Sequence, residues 1–291
     1  MSAATATPHG ARATTARPGP AFGRVVAAEG TKLLSLRSPW WAAAVTVVVA
    51  GVITYLSAEA SSVDPGFEPL DSLSTGLALA HLGPLVLGVL VGAGEFRTGA
   101  SRTTFTLVPR RWPVLAAQVL VTAAFALGTA VLATAASVLG ILPSAASRGI
   151  TVDLTSDDTP GLVLGMVLFL VALALFGLAL GALLRRTVPA LVTGLLVVVI
   201  LPVVLTTAGD PLVSGADPAS TGLAGPPTTV LGTLAVLSPG GAAQLMTTSA
   251  SAGPMSGTPD LGPVGGGLVF AAWVLVVLVA AAVRLRARDV R

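Results

Sequence analysis

The sequence predicts an all-α, polytopic membrane protein with six transmembrane helices. Hydrophobic residues make up 54% of its 291 residues and charged residues only 10%, and the mean hydropathy is +0.89. Soluble domains carry about 25% charged residues, so this chain has too little charge to cover a surface that faces water. The third observation is a set of six long apolar runs, which carry charged residues only at their edges.

Each apolar run is long enough to cross a bilayer, which takes about 20 residues of helix for about 30 Å of hydrocarbon. The runs are continuously apolar, whereas strands of a membrane barrel alternate polar and apolar residues over about ten positions. The third run exceeds a straight crossing, so we expect it to tilt or to project from the bilayer. The predicted spans are 40–58, 73–93, 113–142, 161–184, 188–208 and 264–283.

The placement of charge predicts the orientation. Every lysine and arginine except Arg148 lies in the N-terminal segment, the second connection, the fourth connection or the C-terminal end. The remaining connections are acidic, with Glu59, Asp64 and Asp153 among their residues. Because basic residues favour the cytoplasmic side of a membrane, both termini are expected in the cytoplasm. Residues 1–20 are mostly Ala, Thr, Pro and Gly, a composition typical of a disordered tail.

Residues 22–37 predict an amphipathic helix on the cytoplasmic membrane surface, ended by Ser38-Pro39 before the first span. Lys32 and Arg37 flank its apolar side and would reach lipid phosphates, while Trp40 and Trp41 mark the interface. Glu29 is unexpected on that apolar side. It either pairs locally with Lys32 or Arg24, or contacts another element of the protein. The apolar side consists of Phe22, Val25, Val26, Leu33 and Leu36.

Two connections need separate interpretations. The second, from Gly94 to Trp112, carries four arginines, and Arg97 to Val108 have a composition compatible with a short helix. Such a loop either only sets the topology or docks another protein. The fifth connection, 209–263, is predicted to be extracellular. We favour a flexible loop there over a re-entrant element, although 230–237 and 242–246 are apolar and Ser238-Pro239-Gly240-Gly241 would break a helix between them.

Catalytic chemistry is sparse in this sequence. It has no cysteine, no glycine-rich phosphate loop before its single lysine, and no metal-binding or hydrolase motif. The predicted spans contain His81 but no Asp, Glu, Lys or Arg away from their edges, and such a histidine usually bonds to a neighbouring helix. Ion-coupled carriers need ionisable groups inside the membrane. Transport through these spans would therefore draw its energy from a partner, and we expect neither a cofactor nor an enzymatic activity.

Three motifs resemble the six-span permease subunits of type-2 ABC exporters, especially those of actinobacteria. The first is EGTKLLSLRSPWW at positions 29–41. The second is GEFRTG at 94–99, followed by Arg-Thr-Thr at 102–104 and Pro-Arg-Arg at 109–111. The third, LGALLR at 180–185, is mostly small and apolar. The resemblance extends from about residue 21 to the arginine-rich end.

The resemblance implies a half-transporter without its own ATPase site. In that family an amphipathic connecting helix precedes the first span, which would include Glu29, Lys32 and Arg37. The connection between spans two and three supplies the coupling helix that enters a cleft on the ATPase subunit. Short re-entrant helices lie between spans five and six. At the positions of this chain that match the second motif, the resemblance implies six ATPase-coupling residues: Glu95, Arg97, Thr98, Arg102, Thr103 and Thr104.

The sequence therefore predicts a permease in a bacterial plasma membrane. Its expected partners are a separate ABC ATPase, the lipid bilayer and a second copy or paralogue that completes a homo- or heterodimer. No nucleic-acid partner is expected. The competing hypothesis is a non-transporting membrane anchor or sensor that docks a cytoplasmic partner through the same basic surface. The sequence does not indicate the substrate.

Overall fold

The computed structural model describes residues 21–97, 112–155, 158–209, 228–249 and 257–287. Helices make up 84% of these residues and none of them lies in a strand. Within the same ranges, six helical segments are long and apolar enough to cross a membrane. The prediction of an all-α chain with six candidate spans is confirmed. Residues 1–20, for which disorder is predicted, lie outside the described part of the chain.

Ten helical elements follow one another along the described residues. Each predicted span falls inside one of them, except that the second is divided between α3 and α4. The elements are α1 (Phe22–Ser35), α2 (Arg37–Ser61), α3 (Asp71–Ala80), α4 (Leu82–Arg97), α5 (Trp112–Ser147), α6 (Thr159–Leu184), α7 (Thr187–Gly209), α8 (Val230–Leu237), α9 (Pro239–Leu245) and α10 (Gly262–Ala287).

Charged side chains gather at the two ends of the bundle. We call the end where α2 begins and α4, α6 and α10 finish the basic end, and the opposite end the acidic end. Arg148 lies at the acidic end, where its Nη2 donates to the carbonyl of Asp64 at 3.0 Å. The described charges at the basic end are Arg24, Glu29, Lys32, Arg37, Arg185, Arg186, Arg284 and Arg286. Those at the acidic end include Glu59, Asp64, Glu68, Asp71, Asp158 and Asp260.

The break between α1 and α2 lies at Leu36, which is extended with φ −84° and ψ 140°. The prediction that Ser38-Pro39 ends the first helix is therefore wrong, because both residues belong to the first turn of α2. A proline is tolerated there, since the first N–H groups of a helix have no partner within it. Trp40 bridges the break, donating from Nε1 to the carbonyl of Leu34 at 3.1 Å.

The second span is interrupted at His81, which separates α3 from α4. Pro84 explains the break. It has no N–H to donate to the carbonyl of Ala80, and a proline ring clashes with the carbonyl four residues earlier. The two helices nevertheless continue in one direction, because α3 and α4 both pack along α2. Gly76 lies against Thr54 and Gly83 lies against Thr46.

Helix α5 runs parallel to α2 and extends beyond it at the basic end. The register is set by Trp40 against Phe125, with ring centroids 5.4 Å apart, and by a hydrogen bond of 3.0 Å from Ser144 to Glu59. The first ten or so residues of α5, about 15 Å of helix, therefore lie beyond the start of α2. Helix α1 covers this extension, burying Val25 in a cluster with α5. Helix α5 thus projects beyond α2, while the expected tilt or projection of the third span from the bilayer stays a prediction.

Helices α4 and α6 pack closely against each other through glycines. A Cβ atom on Gly88 would overlap the backbone of Ala174, and one on Gly92 would overlap that of Leu178. The arrangement is reciprocal, since a Cβ on Gly177 or Gly181 would strike the backbone of α4. Small residues spaced four apart allow helix backbones to approach closely within a membrane. This contact places α4 and α6 at the centre of the described bundle.

Two short helices, α8 and α9, occupy part of the fifth connection. Thr229 caps α8 by accepting from the N–H of Gly232 at 2.9 Å, and Ser238 caps α9 by accepting from the N–H of Gly241 at 3.1 Å. The predicted break between the two helices is confirmed at Ser238 alone, because Pro239, Gly240 and Gly241 form the first turn of α9. The favoured interpretation as a flexible loop is wrong for 230–245, because these caps and the apolar contacts below hold both helices. Residues 210–227 and 250–256 lie outside the described ranges.

The turn between α8 and α9 reaches halfway along the neighbouring spans. The indole Nε1 of Trp273, near the middle of α10, donates to the carbonyl of Leu237 at 2.9 Å. Gly240 lies against the carbonyl of Val198, near the middle of α7. That position coincides with a π-helical turn, Leu196–Ile200, before Pro202. Proline offers no N–H to Val198 four residues earlier, so the local helix departs from α geometry there.

Candidate functional site

The predicted coupling residues follow directly from the end of α4. Glu95 and Arg97 belong to the last turn of α4 by their backbone positions, and their side chains lie outside what the structure describes. Thr98, Arg102, Thr103 and Thr104 fall in 98–111, also outside the described ranges, as does most of the short helix proposed for 97–108. Their role in coupling stays a prediction.

Glu29 in α1 points towards α5 and is 11% exposed, whereas its ion-pair partner Lys32 is 42% exposed. The Nζ of Lys32 lies 3.4 Å from Oε2 of Glu29, and Nε2 of Gln118 donates to the same oxygen at 3.4 Å. Both interpretations of Glu29 therefore hold together, the local pair and the contact with another element. Arg37 begins α2, is exposed, and is separated from this pair by the break at Leu36.

A cavity of about 230 Å³ lies at the basic end between α1, α2, α4 and α5. Glu29, Lys32 and Gln118 line one part of it, and the rest is mainly apolar. Its apolar wall includes Leu33, Leu36, Leu90, Val91 and Val121. Helix α1 thus does more than cover α5, because it forms one wall of a space that lies between the Glu29–Lys32 pair and the end of α4.

A second cluster at the basic end joins α4 to α6 and α10. The guanidinium of Arg185 lies 5.0 Å from the centre of the Phe96 ring. Arg185 also donates from Nη2 to the carbonyl of Arg284 at 3.3 Å, and Arg284 in turn donates to the carbonyl of Leu183. Sequence reasoning missed this cluster. Both residues belong to motifs noted in the sequence, Phe96 to the second and Arg185 to the end of the third. Nothing in the sequence indicated that the two side chains are in contact.

The local backbone explains how Arg185 reaches these partners. It ends α6 in the left-handed region, with φ 59°, and its N–H donates to the carbonyl of Gly181 at 2.8 Å. This conformation is uncommon for a residue other than glycine. It turns the chain sharply before α7, so the guanidinium folds back over α4 and α10. Arg185 therefore connects the last turn of α4, which leads into residues 98–111, with the ends of α6 and α10.

Among the described residues, the His81 side chain has no hydrogen bond to a neighbouring helix of the kind that the sequence predicts. Its ring packs against Phe169 of α6, with centroids 6.1 Å apart. The imidazole also lies near the backbone of Leu77 and Ala78, and Nε2 has no partner among the described residues. Those residues also contain no group of three or more acidic or histidine side chains that would hold a metal ion.

The fold and these surfaces define a class of protein, an α-helical multi-pass membrane protein whose charged side chains lie at the two ends of its helices. Its basic end carries the cavity, the Arg185 cluster and the start of the arginine-rich connection. No family model matches the chain, and no curated protein matches it either.

Proposed function

We propose that the chain is the membrane-spanning permease subunit of an ATP-driven exporter of the ABC type, without an ATPase site of its own. One observation carries the proposal most directly. Across the six candidate spans, acidic and basic side chains lie near the helix ends, and His81 is the only one in between. Such an interior offers little to couple transport to an ion. The energy would come from a cytoplasmic ATPase that docks at the basic end.

The proposed coupling passes through α4. Closure of the ATPase on ATP would displace the connection 98–111, which begins where α4 ends. Helix α4 would carry α6 with it, because their backbones meet at glycines with no side chain between them to absorb the movement. The stacking of Arg185 on Phe96 ties the same ends together. A second permease copy or paralogue would supply the other half of the path, in a bacterial plasma membrane.

The coupling proposal is tested by co-expressing the chain with an ABC ATPase encoded beside it. The complex is purified and its ATPase rate measured in lipid nanodiscs. We expect Arg102→Ala and Glu95→Ala to reduce the stimulated rate to near the rate of the ATPase alone, because both changes remove charge from the docking connection. Arg24→Ala is the matched control. It removes an exposed arginine from α1 at the same end and should leave stimulation unchanged.

Two outcomes would contradict this proposal. Failure of the two proteins to copurify would remove the docking partner. Copurification without any effect of the chain on ATP hydrolysis would favour the alternative, a membrane anchor or sensor that binds a cytoplasmic protein through the basic end. Full stimulation in both the Arg102 and Glu95 variants would show that the ATPase docks elsewhere.

The proposed orientation, with both termini and the basic end in the cytoplasm, follows from the positive-inside rule. The chain has no cysteine, so single cysteines report position without background. In intact cells a membrane-impermeant maleimide should label Val63→Cys, which replaces a side chain 78% exposed at the acidic end, and should spare Ser35→Cys at the basic end. After permeabilisation both should react. Labelling of Ser35→Cys alone in intact cells would mean that the orientation is inverted.

A further inference from the structure

The cavity enclosed by α1 has a place in the fold that suggests what fills it. Its lining includes the last residues of α1, the first turn of α2 and Gly94 near the end of α4. It therefore lies at the level where the spans begin and end. Trp40 and Trp41 mark the same level, with exposed fractions of 54% and 70%. Tryptophan concentrates where hydrocarbon meets headgroups, so the cavity sits at the headgroup boundary.

The charges around the cavity favour an anionic occupant. Glu29 is the only acid at this end whose side chain the structure describes, and Lys32 lies 3.4 Å from it. Arg37 lies between Leu36 and Ser38, which both line the cavity, and it is exposed. It therefore adds positive charge near the mouth. The N-terminus of α2 also opens here without a side-chain cap, and the partial positive charge of a helix N-terminus adds to the same field.

The walls favour a hydrocarbon chain. The apolar wall is formed by Leu33 of α1, by Leu36 at the break after it, and by side chains of α4 and α5, which are Leu90, Val91 and Val121. A small soluble anion would leave this apolar surface uncovered, whereas an acyl chain would bury it. From these observations we propose that the cavity is a binding site for an anionic phospholipid of the basic-end leaflet, with its phosphate near Lys32 and Arg37 and one acyl chain between α1, α4 and α5.

A lipid bound at this site would make the packing of α1 against the bundle depend on the lipids of the membrane. The bound acyl chain would fill the space between α1 and the end of α4, so lipid composition would set how firmly α1 rests on the helix that leads into 98–111. This inference does not rest on the proposed export function. It requires only that the chain is embedded in a membrane, and it is tested on the purified chain without any ATPase.

The test titrates the detergent-purified chain with phosphatidylglycerol or phosphatidylcholine and follows the first lipid adduct by native mass spectrometry. We expect phosphatidylglycerol to bind about fivefold more tightly, the preference that one lysine near an anionic headgroup confers. Lys32→Gln should abolish that preference. Arg24→Gln, which removes an exposed charge that does not line the cavity, should reduce the preference by less.

Filling the cavity provides the second arm. Val121→Phe and Val91→Phe place a larger side chain in it from two different helices, and each should weaken the first adduct of both lipids about tenfold. Leu120→Phe is the matched control. Leu120 immediately precedes Val121 in α5, is 51% exposed, and does not line the cavity. Melting curves identify any variant that has failed to fold. In that case the lipid affinity of the other cavity-filling variant tests the site.

Equal affinity for the two lipids in the unaltered chain would overturn the proposed headgroup selection. Unchanged lipid binding in a folded cavity-filling variant, or an equal loss in Leu120→Phe, would overturn the site itself. Tighter first-adduct binding of phosphatidylglycerol that is lost in Lys32→Gln and weakened by both cavity-filling changes would establish it.

Discussion

Replacing Gly88 by alanine is expected to lower the melting temperature of the purified chain by more than any other single added methyl group on α4. The new Cβ would overlap the carbonyl of Ala174 and press on the backbone of Leu178, neither of which can rotate away. The two central helices would have to separate. Overpacking of this kind costs about 1–3 kcal/mol, which a thermal unfolding scan in detergent resolves.

Gly128→Ala is the control for that substitution. Gly128 lies within a long helix of similar apolar character, α5, and a Cβ there would meet no atom within 4 Å. Its melting temperature should not fall, because alanine favours the helical backbone over glycine. An equal loss of stability in both variants would mean that the effect comes from the backbone of any glycine-containing helix and not from the α4–α6 contact. No loss in Gly88→Ala would mean that the two helices are not closely packed.

Replacing Gly240 by alanine is expected to displace the α8–α9 hairpin from the bundle. A Cβ at this position would overlap the carbonyl of Val198 and the ring of Pro202 at the π-helical turn of α7. A cysteine at Val236, which is 5% exposed, reports the displacement through its rate of reaction with a hydrophilic maleimide. We expect the rate to rise about tenfold, the change that strain of about 1.4 kcal/mol produces in an opening equilibrium.

Two comparisons control the hairpin experiment. Val230→Cys replaces a side chain that is 77% exposed and should react quickly with or without the change at Gly240. Gly161→Ala adds a methyl group to α6 where no atom lies within 4 Å, and it should leave Val236→Cys protected. Rapid labelling of Val236→Cys in the unaltered background would contradict the seating of the hairpin halfway along α7 and α10.

The positions of the spans were predictable because hydropathy is a property of each local segment. All six predicted runs fall within the helices of the structure, including 113–142 inside the longer α5. The exact helix ends were less predictable, since the first and last turns carry residues that are not strongly apolar. Ser38 and Pro39 illustrate this. They look like a helix stop, yet the structure uses them as the first turn of α2, because Leu36 interrupts the helix before them.

The candidate site was predictable only in part. Glu29, Lys32 and Arg37 were selected from their charge on an apolar helix, but the partner of Glu29 on α5 was not. Gln118 lies 89 positions away in the sequence, and no local pattern connects the two residues. The contact of Arg185 with Phe96 was missed for the same reason. Such pairs depend on which helices become neighbours, and hydropathy does not specify neighbours.

The sequence by itself determined that this chain is helical, apolar and divided by charge into a basic and an acidic end, because each of these properties sums over nearby residues. Tertiary structure decided the rest. It brings the glycines of α4 and α6 together, seats the α8–α9 turn against the middle of α7, and encloses a cavity beneath α1. These features arise where backbones distant in sequence approach within contact distance, and that approach depends on the packing of the whole bundle.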